Sequence, residues 1–251
     1  MAEALLKVEN VSKRFGGLLA VDEASFSAAS GHITALIGPN GAGKTTLFSI
    51  IAGFLSPDHG RVLYDGANIT GEPPHRLARR GVARTFQIVQ PFAGLTVREN
   101  IAIGSHLSHR GRGEALAAAG EVARSVGLGA QLEAPAATLT VAGRKRLELA
   151  RALAIAPRLI LLDEVLAGLN PSEIRDMIPV IRTIADSGMA VLMTEHVMQA
   201  VMSLAEQVFV LAEGCVIAQG TPRQVAADQR VIEAYLGHGA AKQMAAGAGH
   251  D

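Results

Sequence analysis

Residues 38–46 read Gly38-Pro39-Asn40-Gly41-Ala42-Gly43-Lys44-Thr45-Thr46. An apolar run, ITALI, precedes them, and LFSIIA, with the spacing of a buried helix face, follows. The stretch therefore joins a strand to a helix. Its glycines let successive backbone N–H groups curl around an anion with no Cβ in the way, and the following helix adds the partial positive charge of its N-terminus. The spacing satisfies G-x-x-x-x-G-K-[ST] through Gly38, Gly43, Lys44 and Thr45. In that pattern the lysine neutralises the β- and γ-phosphates of a nucleotide and the threonine hydroxyl holds Mg²⁺. All nine residues are candidates for a phosphate cradle.

A ligand of an open parallel sheet lies beyond the carboxyl ends of the strands, so other strands should end in chemistry that serves a triphosphate. Residues 158–165, RLILLDEV, form an apolar strand that delivers Asp163, a second Mg²⁺ anchor acting through water, and Glu164, placed to polarise the attacking water. Residues 190–196, AVLMTEH, end in His196, placed to touch the γ-phosphate. Residues 82–87, VARTFQ, end in Gln87, a neutral polar group suited to ligating Mg²⁺ or its water. Alone, an acidic strand end is as readily a helix cap, and a lone histidine or glutamine a surface residue. Their weight comes from arriving together with the phosphate loop.

Residues 159–162 and 190–193 are short continuous apolar runs, the pattern of strands covered on both faces. Between them residues 172–185 read as a helix with Pro171 in its first turn. Leu6, Val8, Val11 and residues 20–26 predict two strands turning at Gly16 and Gly17, and residues 61–69 predict a further pair around a glycine turn. From about residue 96 to 156 the patterns are helical. The expected class is α/β, with a mainly parallel sheet, an antiparallel β subdomain and an α-helical subdomain inserted at approximately 88–156. Residues 1–237 are expected as one domain, and the small polar tail 238–251 is expected to be flexible.

The chain's 251 residues are 49% hydrophobic, enough for a sizeable core. Lys+Arg and Asp+Glu both number 23, whereas proteins that hold nucleic acid through its phosphates are usually basic, so no nucleic-acid partner is expected. One cysteine, Cys215, permits no internal disulfide and no cysteine-based zinc cluster, which fits a reducing, cytoplasmic setting. Arg151, Arg158, Asp163 and Glu164 break the richest apolar region, so no run approaches the roughly 20 residues needed to span a bilayer. The N-terminal MAEALLKVENVSKRF lacks the basic-then-apolar order of a signal peptide. Any membrane role is expected to be peripheral.

With the phosphate loop, Gln87, Asp163 with Glu164, and His196 in that order, and a helical insert between Gln87 and Asp163, the chain resembles the nucleotide-binding subunit of an ABC transporter. The likeness covers roughly residues 5–236 and implies a P-loop NTPase (RecA-like) core with ATP and Mg²⁺ as cofactors. It further implies hydrolysis with Glu164 as general base or water positioner, His196 holding phosphate and water, Thr45, Gln87 and Asp163 at the metal, and Phe15 stacked on adenine. Two copies, identical or paralogous, are expected to pack head to tail. Each ATP then lies between one copy's phosphate loop and the other's signature loop. Integral membrane permease subunits at the cytoplasmic face of the cell membrane are the implied partners.

The family's signature loop reads LSGGQ, and the matching stretch here is Leu139-Thr140-Val141-Ala142-Gly143, followed by Arg144, Lys145 and Arg146. Thr140 keeps a hydroxyl that can cap the helix and donate to phosphate across the dimer. Val141 and Ala142 stand where the pattern has glycines, and β-branched Val141 resists positive φ. Either the loop takes a different backbone shape or Gly143 assumes one glycine's task. Arg144 and Glu148 are expected as an i,i+4 pair on the exposed face of the helix.

Residues 167–171 (AGLNP), RTFQ at 84–87 and VIEAYLG at 231–237 look like the importers of branched-chain and other hydrophobic amino acids. In that subgroup paired ATPase and membrane subunits work with a periplasmic binding protein. Pro91, Phe92 and Leu95 are candidates for the membrane-subunit contact, the alternative being that they pack inside the helical subdomain. Three other readings stay open. They are the ATPase of a lipid or lipopolysaccharide exporter, a soluble ABC ATPase of DNA repair, chromosome structure or translation, and a binding-only subunit whose TVAGRK loop has lost turnover.

Overall fold

The computed structural model describes residues 4–86 and 90–236; Gln87 and the tail assigned to 238–251 lie outside them. Strands β1 (Ala4–Phe15) and β2 (Leu18–Ala29) largely alternate buried and exposed side chains, the period-two pattern of a sheet covered on one face. Strand β3 (Ile33–Ile37) is buried at every position and leads through the glycine loop into helix α1 (Lys44–Ile51). Strands β4 (His59–Tyr64) and β5 (Ala67–Asn68) form the expected pair, turning at Asp65 and Gly66. The order β2-β1-β4-β5 makes an antiparallel sheet.

Helix α2 (Pro74–Arg79) and strand β6 (Val82–Arg84) lead to the helical section, α3 (Val97–Ser105), α4 (Arg112–Ser125) and α5 (Val141–Leu153). The chain then alternates: β7 (Leu159–Asp163), α6 (Pro171–Asp186), β8 (Ala190–Thr194), α7 (Met198–Leu204), β9 (Gln207–Ala212). Strand β10 (Cys215–Gly220) and helices α8 (Pro222–Ala226) and α9 (Gln229–Leu236) complete it. The second sheet has the order β10-β9-β3-β8-β7-β6, parallel from β9 to β6, with β10 antiparallel at one edge.

The continuous apolar runs have a direct cause. Ile33, Ala35, Ile37, Ile160, Leu162, Val191 and Met193 face a core shared with α3 to α7. Leu36, Leu159, Leu161, Ala190 and Leu192 face the opposite core, with Phe48 and Ile51 of α1 and Leu6, Val8 and Val62 of the antiparallel sheet. Every position of a central strand is thus covered. Asn170 caps α6 in a reciprocal box with Glu173, and Pro171 occupies the first turn.

Helix α5 departs from the reading of its surface. Glu148 does not pair with Arg144 on an exposed face: it is buried, accepts the Phe86 N–H at 3.3 Å, and pairs with Arg151 at 3.1 Å. Arg144 instead donates Nε–H to the Leu139 carbonyl at 3.1 Å. The helix turns Lys145, Leu147, Glu148, Leu149 and Ala152 inward, and burial pushes the Glu148 carboxyl above the usual range, with the Arg151 charge opposing. None of the described helices is long and apolar enough to cross a membrane.

Candidate active site

Because β9, β3, β8, β7 and β6 run parallel side by side, their carboxyl ends share one rim of the sheet. The glycine loop sits at the end of β3, near its middle. Gly38 has φ +151°, and a Cβ there would lie 2.0 Å from the Leu211 carbonyl oxygen; Gly43 has φ +102°, and a Cβ would lie 2.4 Å from that of Ala20. Only glycine fits either position. Lys44 is buried and folds back over the loop, donating from Nζ to the carbonyls of Gly38 at 2.7 Å and Pro39 at 2.9 Å. Burial pushes its ammonium down, while Glu164 and Asp163 draw it back up. The loop residues 40–46 line a cleft with Phe15, Leu18 and Glu164.

Asp163 closes β7, opposite Thr194 of β8. The Thr194 hydroxyl donates to Oδ1 at 2.9 Å, Arg84 Nη2 donates to Oδ2 at 2.8 Å, and the backbone N–H donates to Thr85 Oγ1 at 3.0 Å. Arg84, the last residue of β6, has three aromatic rings around its guanidinium: Phe86 at 5.7 Å, Phe54 at 5.8 Å and Phe48 at 6.0 Å. Its Nε is buried with no hydrogen-bond partner among the described residues. Sequence reasoning missed this arginine as a site residue, although RTFQ contained it; a charge inside a short apolar strand was the available signal.

Glu164 takes a left-handed conformation, φ +49°, and its Oε1 lies 2.6 Å from His196 Nε2. The two residues read separately from two strand ends therefore meet. Phe15, at the end of β1, is half exposed at the cleft, with Lys13 Nζ 5.7 Å over its ring. Thr140 is exposed and caps α5 by accepting the Gly143 N–H at 3.1 Å; neither residue lines the cleft of Lys44. Helix α5 begins at Val141, and no residue from 139 to 143 has positive φ, so the loop takes a shape that needs no glycine at 141 or 142. Gln87 lies outside the described residues.

Thr45 and Asp163 line one further cleft, beside Glu148 and Arg151. These are hard oxygen donors, and among the described residues no cluster of three or more His, Cys, Asp or Glu could cage a metal by itself. An incomplete oxygen set of this kind fits Mg²⁺, which keeps several waters and binds through one or two protein ligands plus substrate phosphates.

A phosphate loop at the centre of a parallel sheet, a Glu–His pair on the same rim and a helical insert together define an ATP-hydrolysing nucleotide-binding cassette. The chain belongs to the ABC transporter family, whose pattern matches residues 21–167, and residues 215–241 match the branched-chain amino acid ATP-binding cassette transporter pattern. It is 37% identical to the high-affinity branched-chain amino acid transport ATP-binding protein BraF of Pseudomonas aeruginosa, over 94% of this chain and 99% of that one. It is 36% identical to LivG of Escherichia coli, with the same coverage, and 34% identical to the lipopolysaccharide export ATP-binding protein LptB of E. coli, over 93% of this chain and 98% of that one. The crystal structure of the ADP conformation of MJ1267, an ATP-binding cassette of an ABC transporter, superposes with a TM-score of 0.86 at 31% identity, covering 94% of this chain and all of that one. The chain is accordingly the ATP-hydrolysing component that powers an ABC transporter.

Proposed function

We propose that this ATPase drives import of branched-chain or other hydrophobic amino acids through membrane permease subunits, at the cytoplasmic face of the membrane. The observation that carries the catalytic part is the Glu164–His196 contact on the rim that also bears Lys44. In this reading Lys44 and the loop amides hold the triphosphate, Phe15 stacks on adenine, and Thr45, Asp163 and Gln87 hold Mg²⁺, which offsets charge developing on the phosphates. Glu164 takes or orients the proton of the attacking water, and His196 keeps Glu164 and the γ-phosphate in register. Thr140, exposed and not among the residues lining its own chain's cleft, faces the nucleotide of a second copy packed head to tail.

The membrane partner docks on an apolar groove between the sheet and the helical section, where Phe54, Phe86 and Ile103 are exposed and Leu77 and Ile155 form the floor. Phe92, named from the sequence, is exposed nearby with the Arg151 guanidinium 5.3 Å over its ring, while Pro91 and Leu95 are half-buried. Import of amino acids is preferred to lipopolysaccharide export because the branched-chain pattern matches residues 215–241. The test is ATP-dependent uptake of labelled leucine, isoleucine and valine into vesicles carrying the chain with the membrane proteins that co-purify with it. Glu164→Gln is expected to bind ATP normally and lose turnover by at least about 100-fold. Turnover at the original rate overturns the base assignment, and ATP-dependent export of a lipid in place of uptake overturns the cargo.

A further inference from the structure

Glu195 lies between the last residue of β8 and His196, and only 1% of it is exposed. Its Oε1 accepts the backbone N–H of Leu166 at 2.9 Å. Leu166 belongs to the turn that begins at Glu164: the Ala167 N–H donates to the Glu164 carbonyl at 3.1 Å. The Glu164 N–H in turn donates to the Thr194 carbonyl at 3.0 Å. Three consecutive residues, Thr194, Glu195 and His196, thus grip the segment from Glu164 to Leu166 through backbone, buried carboxylate and imidazole in succession. Lys145 of α5 adds a fourth point, donating from Nζ to the Glu164 carbonyl at 3.1 Å.

This grip has work to do. A left-handed glutamate costs about 1–2 kcal/mol and persists only where its surroundings hold it. A buried carboxylate is itself costly unless its oxygens are hydrogen-bonded. An apolar residue at 195 would remove that cost but leave the Leu166 amide unsatisfied.

We propose that Glu195 is a positioning residue for ATP hydrolysis, its carboxylate fixing the turn that carries Glu164 and the start of the loop that carries His196 relative to one another. The proposal rests on the roles given above to Glu164 and His196. The ionised form is the stronger acceptor for the Leu166 amide. The charged and titratable groups that face it are Glu164 from the turn after β7, Lys145 from α5, and His196 beside it. Burial, with the Glu164 charge adding to it, pushes the Glu195 carboxyl up to about 7, so it ionises near neutral pH.

The test compares the full-length chain with Glu195→Gln and Glu164→Gln. Glu195→Gln keeps an oxygen for the Leu166 N–H but removes the charge. Its kcat is expected to fall by about tenfold or more, the size of effect that sub-ångström misplacement produces, with KM and the calorimetric affinity for Mg-ATP within about twofold of wild type. Wild-type kcat is expected to rise with pH near 7, and this rise is expected to be missing in Glu195→Gln. In ¹⁵N spectra of the wild-type chain, the Leu166 and His196 amides are expected to shift together through a step near pH 7; this readout needs neither turnover nor a folded variant. Two flat amide titrations, or unchanged kcat and pH profile in Glu195→Gln, overturn the proposal. A parallel loss of nucleotide affinity and kcat also overturns it, because it shows a general structural role. Glu164→Gln separates the two readings: wild-type turnover there removes the base assignment, whereas loss there with none in Glu195→Gln removes only the role of Glu195.

Discussion

Glu195→Gln is expected to stabilise the protein at the pH where it slows catalysis. The rise of the Glu195 carboxyl from its ordinary 4.5 to about 7 means that the folded protein resists its ionisation. At roughly 1.36 kcal/mol per pH unit, that resistance amounts to about 3 kcal/mol. A raised acid contributes its full stability below the unfolded pKa, near 4.5, and loses it as pH rises through about 7. Wild type therefore loses up to about 3 kcal/mol from this group between pH 4.5 and 8, and the uncharged glutamine does not. The amide group that replaces one oxygen brings buried N–H donors in its place and costs the variant about 1 kcal/mol at every pH. The checkable quantity is thus the change with pH in the difference between the two proteins. Urea denaturation at pH 5.5 and pH 8 is expected to show Glu195→Gln gaining on wild type by about 2–3 kcal/mol over that interval. For a chain of this size this is a relative gain in Tm of roughly 4–10 °C. Curves that run parallel across the interval refute the reasoning, since they show that the carboxyl carries no burial cost.

Lys44→Ala removes a buried charge from the cradle, and at roughly 1.5–3 kcal/mol for a charged hydrogen bond the affinity for Mg-ATP is expected to fall about 10- to 100-fold by calorimetry; affinity near that of wild type contradicts the cradle. Gly43→Ala places a Cβ 2.4 Å from the Ala20 carbonyl in left-handed backbone, whereas at Gly41, φ +81°, a Cβ meets nothing within 4 Å. Gly41→Ala should cost about 1–2 kcal/mol in urea denaturation and Gly43→Ala clearly more, with nucleotide binding lost; equal costs would mean the close approach at Gly43 does not constrain the loop. Thr140→Ala removes the cap of α5 and is expected to lower stability by about 1 kcal/mol while leaving the nucleotide affinity of the isolated chain unchanged; weakened binding would show that Thr140 serves its own chain's site.

The strand–loop–helix at residues 33–51, the buried strands that end at Asp163 and Thr194, and the antiparallel sheet were legible because each depends on a short, contiguous pattern: glycines where φ is positive, unbroken apolar runs, alternation with period two. The same holds for Thr140, whose capping role depends on residues within one helical turn. Glu148 shows where such reading stops. Spacing along a helix says which residues are neighbours on its surface but not which side the sheet covers, so an expected surface pair with Arg144 became a buried acid bound to the Phe86 amide. Arg84 and Glu195 carry the same lesson at the site itself. Their partners, Asp163 and Leu166, lie 79 and 29 residues away, and what makes these charges significant is the absence of water around them. The sequence by itself determined the nucleotide-binding cassette, with its phosphate loop on a mainly parallel sheet. Only the tertiary structure decided which charges are buried there and what they grip, because desolvation is set by elements packed from elsewhere in the chain and no local pattern encodes it.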